Sequence, residues 1–285
     1  MSYAPFDTVL KPARARLPAG TCDCHFHIFE ATSVYPLAET TTYEPTPATE
    51  ADYQALREAY GIDRAVLVHP SVYGADHTSY EVLMAKNSSW LRGVAVLHSS
   101  NTDAEIERWH QLGTKGTRIN VLFAGGPTAS DINNIIDRVK PYGWHVQLFG
   151  DLSKIGDLAG RIAERGVPVV VDHIGHADPD QLINSAGFTN LLSLMREGQA
   201  WVKLSAPYRL SVQAPAYPEV RPLVDALLDA NPAQAVWGTD WPHPNIHGPM
   251  PNDGNLVDLV FDWLPDEASR QAVLVDNPTR LYWSE

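Results

Sequence analysis

His25 and His27, in the run Asp23-Cys24-His25-Phe26-His27, stand two residues apart at the end of an apolar stretch. On a strand, positions two apart share a face, so the spacing predicts two inward imidazoles with Phe26 turned the other way. Such a pair suits ligation of a divalent ion or polarisation of a carbonyl; the plainer alternative is two core histidines satisfied by hydrogen bonds. A second cluster is Val171-Asp172-His173-Ile174-Gly175-His176. His173 is expected to end a strand beside the first pair, Asp172 to face away and be structural, and His176 to lie in the next loop. There His176 either touches substrate or caps a turn. Asp240, within Val236-Trp237-Gly238-Thr239-Asp240-Trp241-Pro242-His243-Pro244-Asn245, supplies a carboxylate. As a general base it would take a proton from water and return it to a leaving alkoxide. Pro242 and Pro244 argue against a mere helix cap there. His243 is a candidate for touching substrate or orienting Asp240.

Residues this far apart in sequence need a frame that gathers them. Short β-branched runs recur at 21–28, 65–70, 92–97, 116–120, 144–148, 168–172, 200–205 and 235–239. Helix-like segments at 50–60, 76–87, 103–112, 130–140, 152–164, 180–196 and 217–230 separate them. Asp103 and Ser130 read as helix starts, and Gly61, Gly113 and Gly166 as ends. The run Val167-Pro168-Val169-Val170-Val171 suits a strand buried on both faces, hence a parallel sheet. Eight strand–helix units favour the closed (β/α)8 TIM barrel over an open doubly wound sheet, and no Gly-x-Gly-x-x-Gly follows the first strand. His27, Ser71, Arg118, His173, Arg209 and Asp240 all fall at or just beyond C-terminal strand ends, the mouth where barrels carry active sites. The expected organisation is an N-terminal extension over 1–20 and a single barrel domain over 21–285. Long loops at 29–49, 205–218 and 241–255 are expected lids or specificity walls. Segments 254–263 and 266–275 read as closing helices, with 277–283 capping the end.

His-x-His on the first strand, His after the sixth and Asp after the eighth together resemble the amidohydrolase superfamily. More closely, Asp-Cys-His-x-His, the Trp-Gly-Thr-Asp-Trp-Pro-His-Pro-Asn segment and the ending Asn277-Pro278-Thr279-Arg280-Leu281-Tyr282-Trp283 resemble its 2-pyrone-4,6-dicarboxylate lactonase branch. The resemblance runs from about residue 20 to residue 285. It implies a hydrolase that opens a lactone from sugar-acid or aromatic catabolism, with Asp240 as base and His25, His27 and His173 polarising the carbonyl or binding a metal. It implies substrate-contacting roles for Arg118, Arg209, Tyr43 and Ser71. Where the branch has a substrate-contacting Tyr this chain has Phe149, and where it has a second Arg this chain has Ala124 in Ala124-Gly125-Gly126. Losing one charge-assisted and one neutral hydrogen bond removes roughly 2–4 kcal/mol. A lactone with one carboxylate, or a neutral sugar lactone, fits the remaining groups better than the pyrone dicarboxylate. Isomerase members of the branch, some of which carry Asn at the position of Asp240, fit less well.

The superfamily's binuclear sites also use a Lys after strand four and a His after strand five. Strand four here ends in Arg118 and Asn120, and His145 lies too early in its strand, so a binuclear centre is not expected. One divalent ion (Zn²⁺) on His25, His27, His173 and Asp240, or none, remains open; a metal-dependent decarboxylase and a ligand-binding barrel with a decayed site are the alternative functions. Lys and Arg total 21 against 34 Asp and Glu, for a formal charge of −13. That field argues against nucleic-acid and anionic-membrane partners and leaves a small-molecule lactone; oligomeric state, homo-oligomer included, stays open. Residues 1–20 lack the apolar segment of a signal peptide. Cys22 and Cys24 are poorly placed for a disulfide, so a reducing, cytoplasmic setting is expected.

Overall fold

The β-branched runs form eight parallel strands in sequential order in the computed structural model, which describes residues 4–39, 41, 43–122, 129–246 and 248–284. They are β1 (Cys22–Phe26), β2 (Arg64–Val68), β3 (Leu91–Ala95), β4 (Thr114–Asn120), β5 (His145–Phe149), β6 (Val169–Val171), β7 (Ala200–Leu204) and β8 (Ala235–Trp237). Just past β8 the chain meets β1 again: Asp240 N donates to His25 O and His27 N to Trp241 O, both at 2.8 Å. This closes the sheet into a (β/α)8 barrel, as the alternation of elements predicts.

The intervening helices are α1 (Glu50–Tyr60), α2 (Thr78–Lys86), α3 (Asp103–Gln111), α4 (Ala129–Val139), α5 (Leu152–Glu164), α6 (Pro179–Ile183), α7 (Ala186–Arg196) and α8 (Arg221–Ala230), with α9 (Asp253–Trp263) and α10 (Glu267–Gln271) after the last strand. The helix cap of α3 is Thr102, in a capping box with Glu105, and Asp103 is its first helical residue. The single helix expected over 180–196 is two, because Ser185 caps a fresh start at Phe188 N. There α7 presses on α5 backbone to backbone: a Cβ on Gly187 would lie 2.0 Å from Leu152 O, so only glycine permits the contact.

Residues pointing inward alternate along the strands and stack in layers, as barrel interiors do. Cys22, Cys24, Val66, Val94, Val236 and Tyr282 form the apolar floor. The two Cys Sγ atoms are 3.8 Å apart and unbonded. Outside the barrel, strand residues such as Ala65, Leu67 and Val202 join the helices in the main core.

Three buried histidines contribute to the acid sensitivity of the fold. Burial holds His69 well below the ordinary value of 6.5 and pushes His77 to about 4 and His145 to about 3. Between those values and 6.5 the unfolded chain binds protons the folded one refuses, so stability rises with pH through this window and is lost on acidification. Each such group contributes about 1.4 kcal/mol per pH unit there. The urea midpoint is therefore expected to fall steadily from pH 7 to pH 4; an unchanged midpoint between pH 7 and pH 5 would contradict it.

Candidate active site

The first strand does not run straight into the site. Its register with β2 shifts between Asp23 and Phe26, the mark of a bulge. Asp23 consequently meets Tyr53 of α1, at 2.8 Å, while His25, two residues on, turns inward. Phe26 stacks on Tyr53, ring centroids 3.7 Å apart, and His27 is inward again. Asp23 also accepts from Thr239 N (2.9 Å), Thr239 Oγ1 (2.7 Å) and His25 N (3.0 Å), locking the bulge to the segment after β8. Burial raises its carboxyl to about 6. Gly238 lets that segment come close, since a Cβ there would lie 2.8 Å from His25 N.

Asp240 stands at the centre of the mouth, with φ at +60°. Its Oδ1 is buried, has no hydrogen-bond partner, and faces the Nε2 atoms of His25 (3.5 Å), His173 (3.6 Å) and His27 (3.8 Å). Its Oδ2 accepts from Tyr208 Oη at 2.6 Å and Arg209 Nε at 2.7 Å. Burial alone would raise this carboxyl, but Arg209 and the surrounding imidazoles hold it well below the usual carboxylate range. The Tyr208 hydroxyl also lies 2.9 Å from His243 Nδ1, and His243 Nε2 lies 3.2 Å from Asp253. His243 thus acts on Asp240 through Tyr208.

His27 Nδ1 lies 2.8 Å from the Val68 carbonyl, a contact that assigns its proton to Nδ1 and leaves a lone pair on Nε2. His25 Nε2 lies 3.2 Å from His27 Nε2. His173 Nδ1 lies 2.9 Å from Ser205 Oγ. Burial pushes His25 down to about 4 and holds His27 and His173 well below the ordinary range, so all three are neutral at pH 7.

Strand alternation predicts Asp172 outside, and the structure corrects this. Two positions beyond inward Val170, Asp172 continues into the barrel and is fully buried. It accepts from Arg118 Nε and Gln147 Nε2, each at 2.9 Å, and lies 3.3 Å from His25 Nδ1. His173 reaches the mouth because its backbone turns left-handed, φ +50°, followed by Ile174 at +57°. Beneath His25 lies a group that no motif marked: Lys203 of β7, whose Nζ donates to Gln147 Oε1 at 2.6 Å and sits 3.2 Å from His25 Nδ1 and 3.5 Å from Asp172 Oδ1. Lys203, Gln147 and Tyr208 all escaped the motif reading; the alternation Trp201, Lys203, Ser205 is the signal that could have found Lys203.

A cavity of about 440 Å³ opens above these groups. His27, His173, Asp240, Arg118, Arg209 and Phe149 line it, as do Tyr43, Ser71 and His176. His243 does not; it lies behind Tyr208. Phe149 supports Arg118, whose Cζ is 4.2 Å over the ring, and packs edge-on to His176 and His173. Ala124 and its glycines lie outside the described residues. His145 opens β5 at the far end from the mouth, against Tyr282.

The donor atoms fit one divalent ion. One nitrogen each of His25 and His27 and an oxygen of Asp240 lie within 4.8 Å of one another, and Asp240 Oδ1 is otherwise orphaned. His25 Nδ1 against Asp172 would be the outer carboxylate that steadies a ligating imidazole.

A family model described as Amidohydrolase matches residues 22–283. The chain is 36% identical over 281 residues to a 2-pyrone-4,6-dicarboxylate hydrolase of Comamonas testosteroni, covering 95% of this chain and 92% of that one. It is 35% identical to a 4-sulfomuconolactone hydrolase of Hydrogenophaga intermedia, covering 96% and 92%. A solved structure from Acinetobacter baumannii, described as a probable 2-pyrone-4,6-dicarboxylic acid hydrolase with citric acid bound, superposes with a TM-score of 0.83 at 25% identity, covering 93% of this chain and 100% of that one.

Proposed function

The chain belongs to the amidohydrolase family, and from that premise we propose that it opens a small lactone by attack of water on the ring carbonyl. The observation that carries the reading is the pairing of Asp240 Oδ1 with three imidazole Nε2 atoms at 3.5, 3.6 and 3.8 Å beneath a cavity able to hold a small ring. The relatives named above as lactone hydrolases support it.

The roles follow from the contacts. The lactone carbonyl sits against His27 and His173 on the cavity wall, with His25 buried behind them. His173, donating from Nε2, polarises it directly, while the Nε2 lone pair of His27 and the ring of His25 would serve it through a bound ion. Asp240 removes a proton from water as the water oxygen bonds to the carbonyl carbon. When the intermediate collapses, the ring C–O bond breaks and Asp240 returns the proton to the leaving alkoxide. Tyr208 and Arg209 hold Oδ2, which directs Oδ1 to the reaction. When bound, one divalent ion such as Zn²⁺, held by His25, His27, His173 and Asp240, would polarise the carbonyl and acidify water. The carboxylate at position 240 favours hydrolysis over isomerisation, because it supplies the base that water needs. A reducing, cytoplasmic setting belongs to the same reading: Cys22 and Cys24, both buried, stand two apart on one strand, a spacing that does not suit a disulfide. Among the described residues no helix is long and apolar enough to cross a membrane.

The test is a panel of sugar-acid and aromatic-pathway lactones followed by proton release, with added Zn²⁺ and with chelator. At least one lactone is expected to open with one proton released per turnover. Carbon dioxide release in place of ring opening would overturn the reading in favour of a decarboxylase.

A further inference from the structure

His27, His25 and Lys203 form a buried line of contacts whose direction is fixed at both ends. At one end His27 Nδ1 lies 2.8 Å from the Val68 carbonyl, which can only accept. His27 therefore carries its proton there and offers a lone pair at Nε2. His25 Nε2 lies 3.2 Å from that lone pair, and two lone pairs would repel at this distance. The proton of neutral His25 is thus assigned to Nε2, and its lone pair to Nδ1. At the other end Nδ1 meets the Lys203 ammonium at 3.2 Å, which can only donate. Lys203 has three protons and three acceptors facing it: Gln147 Oε1 at 2.6 Å, His25 Nδ1 at 3.2 Å and Asp172 Oδ1 at 3.5 Å.

A divalent ion binds through a lone pair, and the atom that His25 turns toward Asp240 Oδ1 and His27 is Nε2, where the proton sits. Ligation through Nε2 would move that proton to Nδ1, against the ammonium, and send it to Asp172 Oδ1, 3.3 Å away. Charge points the same way. The buried carboxylates of Asp172 and Asp240 already pair with three cations, Lys203, Arg118 and Arg209. Two further positive charges would leave water without a matching anion. By position the donor atoms suit an ion; by proton placement Lys203 opposes it. We propose that Lys203 is a positioning residue that holds His25 with its proton on Nε2, so that the imidazole stands as a donor beside Asp240 and a divalent ion binds only weakly.

The first test needs no altered side chain at position 203. In chelator-treated protein labelled with ¹⁵N-histidine, long-range ¹H–¹⁵N spectra should show His25 protonated at Nε2 and bare at Nδ1, its signals identified by their loss in His25→Gln. The second test is Zn²⁺ affinity, read by competition with a chromophoric chelator, for the wild type and Lys203→Met. With the ammonium gone, His25 Nδ1 can donate to Asp172. Zn²⁺ should then bind about 10–100-fold more tightly, the range over which outer contacts tune a ligating imidazole. A lysine that merely props the barrel predicts the reverse, weaker binding in the variant. A His25 proton on Nδ1 in the wild type, or Zn²⁺ held no more tightly by Lys203→Met, would overturn the proposal. Where Lys203→Met does not fold, the wild-type spectrum decides alone. Both measurements use resting protein without substrate, so either can fail with lactone opening intact, and the converse holds.

Discussion

Asp240→Asn is expected to lower kcat for lactone opening by about 10²–10⁴-fold, the range that a positioned general base supplies. The substitution changes one atom, so volume and backbone geometry are kept. Its amide oxygen can still accept from Tyr208 and Arg209, which occupy Oδ2 in the wild type. What disappears is the carboxylate oxygen facing His25, His27 and His173, which now meet an amide that takes no proton from water. The loss should fall on kcat more than on KM, because Arg118 and the cavity wall are untouched. Arg209 is left facing a neutral group, so some loss of thermal stability accompanies the change. A variant that folds and turns over within threefold of the wild type would remove Asp240 from the mechanism.

Lys203→Met is expected to destabilise the barrel by about 3–5 kcal/mol, the cost of leaving a buried charge without its partner. Lys203 is fully buried, and it, His25 and Arg118 together hold the Asp172 carboxyl well below the usual range even though burial would raise it. Removing the ammonium leaves Asp172 with Arg118 and takes away the atom 3.2 Å from His25 Nδ1. Asp172→Asn alone should be costly too, since two buried cations then lose their shared anion. The double variant Lys203→Met with Asp172→Asn removes both charges and is expected to lose less stability than the two single losses added together, because contacting charges couple. Denaturant unfolding of the four proteins reads the coupling. Strict additivity would show that the pair does not act as a unit.

The frame was legible because its signals are apolar and local. Val167 to Val171 reads as a doubly buried strand, and the helices over 50–60 and 152–164 match the observed α1 and α5. The site was legible where strand ends and motif agree, at His25, His27 and Asp240. It was not legible where the backbone leaves the regular strand. Alternation would put Asp172 and His173 on opposite faces, and both reach the interior only because His173 adopts a left-handed turn, rare outside glycine. The bulge in β1 hides in the same way, since Cys24 and His25 are successive inward residues. Lys203 was missed for a different reason. A lysine in Ala200-Trp201-Val202-Lys203-Leu204 reads as solvent-facing by its type, and only the three-dimensional company of Asp172 and Gln147 explains its burial. Arg209 adds to the same lesson: the resemblance implied a substrate contact, and the structure keeps it on the cavity wall while pairing its Nε with Asp240.

The most direct test of the account is a single turnover of the best lactone in water enriched in ¹⁸O. Attack of water on the ring carbonyl predicts one labelled oxygen in the new carboxylate and none in the freed alcohol. Label in the alcohol, or a rearranged lactone without label, would contradict it.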